Sequence, residues 1–97
     1  MSTLFVLSHA PHADPGEVRK LAFAAAGDAV ILIEDAVYAA APAPTPWSAA
    51  LEQATGRGLT VHVLAPDAAA RGVRPSWPTV DYAGWLALLA AHQRAVH

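Results

Sequence analysis

The chain has 97 residues, no cysteine and a formal net charge of −2, and 55% of its residues are hydrophobic while only 14% are charged. This length predicts a single domain, residues 1–97, and the lack of cysteine excludes disulfides and thiolate metal sites. The basic residues form no patch, so direct nucleic-acid binding is not expected. With no apolar run of about 20 residues and no signal-peptide pattern, we expect no membrane contact and a cytoplasmic location.

The first part of the chain predicts two strands with a helix between them. The run TLFVLSH (Thr3–His9) is typical of a buried strand. A helix is expected to follow, with Asp14 as N-cap, Glu17 three residues later, Phe23 among its apolar residues and Gly27 at its end. The unbroken apolar run AVILIED then predicts a strand that is buried on both faces, as parallel sheets require.

The second part continues the alternation. Prolines in the segment 42–46 predict an extended loop, and a helix from about Trp47 to Thr55 follows it. The strand LTVHVLAP, a short helix over 66–72, the short strand TVDY and a last helix from Ala83 to about Arg94 complete the pattern. Alternating strands and helices with long connections predict a three-layer α/β/α fold with a mostly parallel four- to five-stranded sheet.

In an open parallel sheet, function gathers where the carboxyl ends of the strands meet loops. A phosphoryl receiver built on the Glu34–Asp35 pair would need a lysine at a late strand end, whereas the only lysine, Lys20, lies in the first predicted helix. Ser8 and His9 are neighbours on a strand and point to opposite faces, so they cannot form a nucleophile–base pair. The polar residues predicted at the strand ends are Ser8, His9, His12, Glu34, Asp35, Asp67, Asp81 and Tyr82.

Two interpretations of these strand ends stay open. His9, His12 and Asp35 could bind a metal ion or a small ligand in a free-standing homo-oligomer. Alternatively, Glu34 and Asp35 mark the point where a strand leaves the core at a surface that meets a partner protein. Aromatic and apolar residues in irregular segments are enriched at such interfaces, and the candidates here are Val37, Tyr38, Trp47 and Trp77.

Three segments resemble the DsrH/TusB family of sulfur-relay proteins: GDAVILIEDAVYAA (27–40), VHVLAPDAAARGV (61–73) and VDYAGWLALLAAH (80–92). The resemblance implies a DsrEFH-like domain that binds no cofactor. This domain would act as a non-catalytic subunit of a sulfurtransferase complex. Its partners would be DsrE/TusD-like and DsrF/TusC-like subunits, with the sulfur-bearing cysteine on the DsrE/TusD type. The persulfide sulfur would serve either 2-thiolation of the tRNA wobble uridine or dissimilatory sulfur oxidation.

On this hypothesis the subunit interface includes Glu34, Asp35, Val37 and Tyr38, no residue is catalytic and no metal is bound. Two of the chain's departures from the family bear on this hypothesis. The first predicted helix has no cysteine, which many DsrH members carry there. Ala36 stands where the family often has glycine, and a backbone with φ > 0 at that position would favour glycine, so we expect the local turn to differ.

Overall fold

The computed structural model describes residues 2–97 and contains one sheet with the strand order β4-β3-β2-β1-β5. Every pairing between neighbouring strands is parallel. The predicted α/β fold with a parallel sheet is therefore confirmed. The strands are β1 (Thr3–Leu7), β2 (Ala29–Leu32), β3 (Thr60–Leu64), β4 (Thr79–Val80) and β5 (Arg94–Val96). The helical segments are two 3₁₀ helices (Glu17–Phe23 and Glu34–Ala40), α1 (Ser48–Gly56), α2 (Ala65–Ala70) and α3 (Tyr82–Ala91).

Helices cover both faces of the sheet, but unequally. Every residue of β1 and β2 is buried, as the unbroken apolar runs predict. One face packs against both 3₁₀ helices, α1 and α2, while α3 is the helix that packs on the other face, through Trp85, Leu88 and Leu89. In the described part of the chain, no helix combines the length and apolarity that crossing a bilayer requires.

The first predicted helix forms as a 3₁₀ helix that begins only at Glu17. Its N-cap residue is Gly16, and no side chain caps it, so the prediction that Asp14 caps this helix is wrong. The physical reason is that the Glu17 carboxylate turns away from the helix and binds backbone N–H groups after β1. The capping box, which needs this carboxylate at the helix start, does not form.

The last predicted helix also ends earlier than its apolar sequence suggests. α3 stops at Ala91, and His92 already has an extended backbone. The three residues of β5 then pair with β1, with Arg94 opposite Thr3 and Val96 opposite Phe5. This pairing satisfies the backbone groups on the outer side of β1, which would otherwise be a sheet edge. A sheet hydrogen-bond ladder thus replaces the last turn of the predicted helix.

Two aromatic residues, Trp47 and Phe23, differ sharply in burial. Trp47, a candidate interface residue, is fully buried, and its indole N–H donates a hydrogen bond to the Asp14 carbonyl at 3.1 Å. Phe23, predicted on the packed helix, is 89% exposed. Trp77 is half-buried against the core. Trp47 is therefore no longer a candidate interface residue, because its ring fills this chain's own core.

We expect Trp47→Ala to lower the free energy of unfolding by about 3–5 kcal/mol, because it leaves a large cavity and removes the hydrogen bond from the indole to the Asp14 carbonyl. The matched change Phe23→Ala should stay within about 0.5 kcal/mol of the wild type, since the ring is exposed. Urea denaturation of the three proteins measures both effects. Equal losses in the two variants would contradict the packing described above.

Candidate functional site

The parallel pairing brings the carboxyl ends of the strands to one edge of the sheet, and two polar clusters lie there. The first follows β1 and is centred on Glu17. The second follows β2 and β3 and is centred on the pair formed by Asp35 and Arg71. The two clusters differ in the partner of the carboxylate. Asp35 is paired with an arginine, whereas Glu17 is paired with a histidine, which has a second ring nitrogen.

Glu17 is a buried carboxylate that organises the turn after β1. Its side chain is only 4% exposed. It accepts hydrogen bonds from the backbone N–H groups of Ser8 (3.1 Å) and His9 (2.9 Å). The His9 ring contacts it through Nδ1 at 2.9 Å, and the Lys20 ammonium lies 3.4 Å away. Four donors thus converge on one carboxylate, which is what a buried charge requires.

The hydrogen bonds of this cluster shift the titration of both members of the Glu17–His9 pair. Burial works to raise the pKa of Glu17, but the hydrogen bonds from His9 and Ser8 outweigh it and hold that pKa below its usual range. The hydrogen bond to Glu17, and then its negative charge, raise the pKa of His9. The fold therefore favours the charged forms of both groups.

Sequence reasoning placed His9 and Ser8 at this strand end but missed Glu17, which it assigned to a helix cap. A signal was present in the sequence. In the α-helix that the sequence predicts, Glu17 lies four residues before Leu21 and therefore on the same apolar face, and Leu21 is buried in the structure. A carboxylate on a buried helix face needs partners, and the nearest predicted donors were those at the end of the preceding strand.

The second cluster gives Asp35 a basic partner within the chain. Asp35 accepts a hydrogen bond from Arg71 Nε at 2.8 Å, and this contact, aided by the charges of Asp35 and Asp67, raises the pKa of Arg71. The backbone N–H of Glu34 donates to the Asp67 carboxylate at 2.6 Å. The basic partner of Asp35 is therefore in this chain, on the turn after α2.

Glu34 has a left-handed backbone with φ of 49°, the only positive φ among the described residues other than glycine. The unusual backbone position thus falls at Glu34 and not at Ala36, which is fully buried within the second 3₁₀ helix. A side chain in this conformation costs roughly 1–2 kcal/mol relative to an ordinary one. The hydrogen bond to Asp67 holds the turn in place.

Of the predicted interface residues, three are accessible and one is not. Glu34 and Asp35 are exposed, and Tyr38 is 43% exposed. Val37 has no exposed surface, because it packs in the core beneath the second 3₁₀ helix. The expectation that Val37 offers its side chain to a partner does not fit this structure, while the interface role of the other three stays a prediction.

The remaining strand-end residues serve other purposes. Asp81 caps α3 by accepting a hydrogen bond from the Gly84 N–H at 2.7 Å, and Tyr82 is exposed. His9 is paired with Glu17 and Asp35 with Arg71. Within residues 2–97, no group of three His, Asp or Glu side chains is arranged to hold a metal ion, and this includes His9, His12 and Asp35.

Comparison with known proteins gives a family match and matches to solved structures. A family model described as "DsrH like protein" matches residues 10–95. The solution NMR structure of protein Tm0979 from Thermotoga maritima is similar, with a TM-score of 0.65 and 24% sequence identity over 92% of each chain. This structural likeness shows a shared fold. No curated protein matches the chain.

We predict that Glu34→Gly raises the free energy of unfolding by up to about 1 kcal/mol. Glycine relieves the left-handed strain, although its greater freedom in the unfolded chain offsets part of the gain. Glu34→Val should instead lower stability, because a β-branched residue is poorly accommodated at φ > 0. Chemical denaturation at neutral pH distinguishes the two, and a destabilised glycine variant would show that the Glu34 side chain makes a compensating contact.

We also predict that Glu17 makes the stability depend on pH in the acid range. Because its folded-state pKa lies below its unfolded value of about 4.5, its contribution is present above that pH and is lost as the pH falls through the folded-state pKa. Glu17→Gln should remove this part of the slope and cost roughly 1–3 kcal/mol at pH 7. Exposed Glu52 provides the control, since Glu52→Gln should follow the wild-type curve; an unchanged acid slope in Glu17→Gln would refute the assignment.

Proposed function

The chain belongs to the DsrH-like family, and from this membership we propose that it is a non-catalytic subunit of a cytoplasmic sulfurtransferase complex that relays persulfide sulfur. It acts as one DsrH/TusB-like domain over residues 1–97 and assembles with DsrE/TusD-like and DsrF/TusC-like subunits. The sulfur that the complex passes on serves tRNA wobble-uridine 2-thiolation or dissimilatory sulfur oxidation.

The observation that carries this proposal is the family match over residues 10–95 of a sequence that contains no cysteine. Persulfide sulfur travels on cysteine thiolates, so a chain without thiols cannot itself be a carrier. A thiol-free member of a sulfur-relay family contributes by positioning other subunits and by shaping the surroundings of their cysteines. This role requires an exposed surface that fits a partner.

The end of β2 supports such a surface. Tyr38 exposes 43% of its area next to the exposed carboxylates of Glu34 and Asp35, and tyrosine is among the residues enriched at interface centres. The Asp35–Arg71 pair holds its two side chains in one arrangement. Side chains that are already ordered lose less conformational freedom on binding, which favours association.

The outer side of α3 is a second accessible apolar surface. This helix carries no charged residue from Tyr82 to Ala91, although Tyr82 and Leu86 are 56% and 67% exposed. A helix that is apolar all round is usually buried on all sides. Assembly with related α/β subunits would cover the side of α3 that this chain leaves open.

We predict that Glu34→Ala combined with Asp35→Ala weakens assembly with co-expressed DsrE- and DsrF-type subunits by roughly tenfold or more, as expected when anchoring groups leave an interface. Titration of the purified subunits, followed by light scattering on a sizing column, measures this. The apparent dissociation constant is the quantity to compare between wild type and variant.

Two variants provide the controls. Arg71→Ala breaks the same ion pair but keeps both carboxylates, so it separates contact with a partner from loss of the pair within the chain. Glu52→Ala removes an exposed carboxylate from α1, outside the segment 34–38. If the double variant assembles like the wild type, the interface does not lie at the end of β2.

A further inference from the structure

We propose that His9 and Glu17 form an acid–base site for the cysteine thiol of a partner subunit, with His9 as the proton acceptor and Glu17 as the residue that positions it. This inference rests on the proposed function, since the thiol must come from another chain. The site lies at the carboxyl end of β1 and shares no side chain with the Asp35–Arg71 pair. Neither the family match nor the structural comparison assigns a role to these residues.

The hydrogen bond to Glu17 fixes the tautomer of His9. An ionised carboxylate can only accept hydrogen bonds, so the proton of the neutral ring must be on Nδ1, which lies 2.9 Å from Glu17. Nε2 then carries a lone pair. The His9 side chain is 63% exposed, whereas the Glu17 side chain is 4% exposed. A buried carboxylate thus orients an accessible imidazole base, the arrangement that activates serine and cysteine nucleophiles.

A shallow pocket of about 430 Å³ adjoins this imidazole. The charged or titratable side chains around it are His9, Asp14, Glu17, Lys20 and His97. Asp14 lies 3.8 Å from His9 Nδ1, on the side of the ring that faces Glu17. The Lys20 ammonium donates hydrogen bonds to Glu17 and, at 3.2 Å, to the Val6 carbonyl. Among residues 2–97, no hydrogen bond involves His9 Nε2, so this atom can accept a proton from a group that enters the pocket.

Among the groups that a partner could bring to the His9–Glu17 pair, a thiol is the one whose acidity suits an imidazole base. An imidazole base readily takes a proton from a group with a pKa near 8.5, which is that of a free cysteine, whereas the hydroxyl groups of serine and threonine are far weaker acids. The resulting imidazolium stabilises the thiolate beside it. The sequence contains no cysteine of its own, so the third member of this arrangement is missing within the chain.

The proposed step is a proton transfer. The S–H bond of the partner's cysteine breaks, its electron pair stays on sulfur as a thiolate, and the proton binds His9 Nε2. Glu17 holds the imidazolium through its Nδ1–H. No bond between sulfur atoms forms or breaks at this stage, so the step needs no oxidant or reductant, and the thiolate is ready to attack the outer sulfur of an incoming persulfide.

The test is the rate at which iodoacetamide alkylates the sulfur-bearing cysteine of the assembled complex, measured as a function of pH. In the wild-type complex the apparent pKa of this thiol should lie below that of free cysteine. His9→Gln should raise it toward the free value and slow alkylation at pH 7 by roughly tenfold. His9 is exposed, so this variant should fold and assemble normally.

His12→Gln is the matched control, because His12 is an exposed histidine of the same loop. It should leave the alkylation profile unchanged. Glu17→Gln should move the thiol's pKa in the same direction as His9→Gln, and NMR titration should show a lower pKa for its His9 ring. A purely structural role of Glu17 would change stability without moving either pH profile.

The outcomes separate the two proposals. If the wild-type chain forms no complex with the DsrE- and DsrF-type subunits, the proposed function fails and this inference falls with it. If the complex forms but His9→Gln has the same alkylation profile as the wild type and His12→Gln, the acid–base role is refuted and the subunit role is unaffected.

Discussion

The parallel pairing of β1, β2 and β3 is the constraint on which the rest of the structure depends. Parallel strands must be covered on both faces, and each return to the sheet uses a crossover connection. This chain places both 3₁₀ helices, α1 and α2 on one face and leaves α3 to cover the other. The same pairing collects every strand's carboxyl end at one edge. The open side of α3 and the polar edge are therefore products of one topology.

At that edge, the carboxylates have two different kinds of partner. Asp35 and Asp67 are matched by Arg71 and by the Glu34 N–H, so the end of β2 is held by contacts within the chain. Glu17 also has all its partners within the chain, but one of them is the His9 ring. That ring contacts Glu17 through Nδ1 only, so its Nε2 does not take part in the pair. Contacts within the chain hold the Asp35–Arg71 cluster together. The Glu17 cluster combines an oriented base, His9, with an accessible ring nitrogen.

The fold was predictable from the sequence because its strongest signals are local and agree with one another. The apolar runs of β1 and β2, the turn residues and the strand–helix alternation all indicate a parallel α/β sheet. β5 was not predictable as a strand, since its three residues follow an apolar helix and form a ladder only because β1 offers an open side. Local patterns likewise could not assign Trp47 and Phe23, whose burial depends on distant packing.

The candidate site was predictable only in part, and the reason is physical. Strand-end position identified His9, Asp35 and Asp67, because parallel topology fixes which ends converge. Strand-end position did not reveal the contact between His9 and Glu17. A carboxylate can serve either at a helix start or as a buried acceptor of backbone hydrogen bonds, and the sequence does not distinguish these two roles. The choice between them depends on the turn after β1, where two unpaired backbone N–H groups attract the carboxylate more strongly than a helix start does. Once Glu17 is bound there, the orientation of His9 follows, and a residue that looks like an ordinary loop histidine becomes a fixed base at the sheet edge.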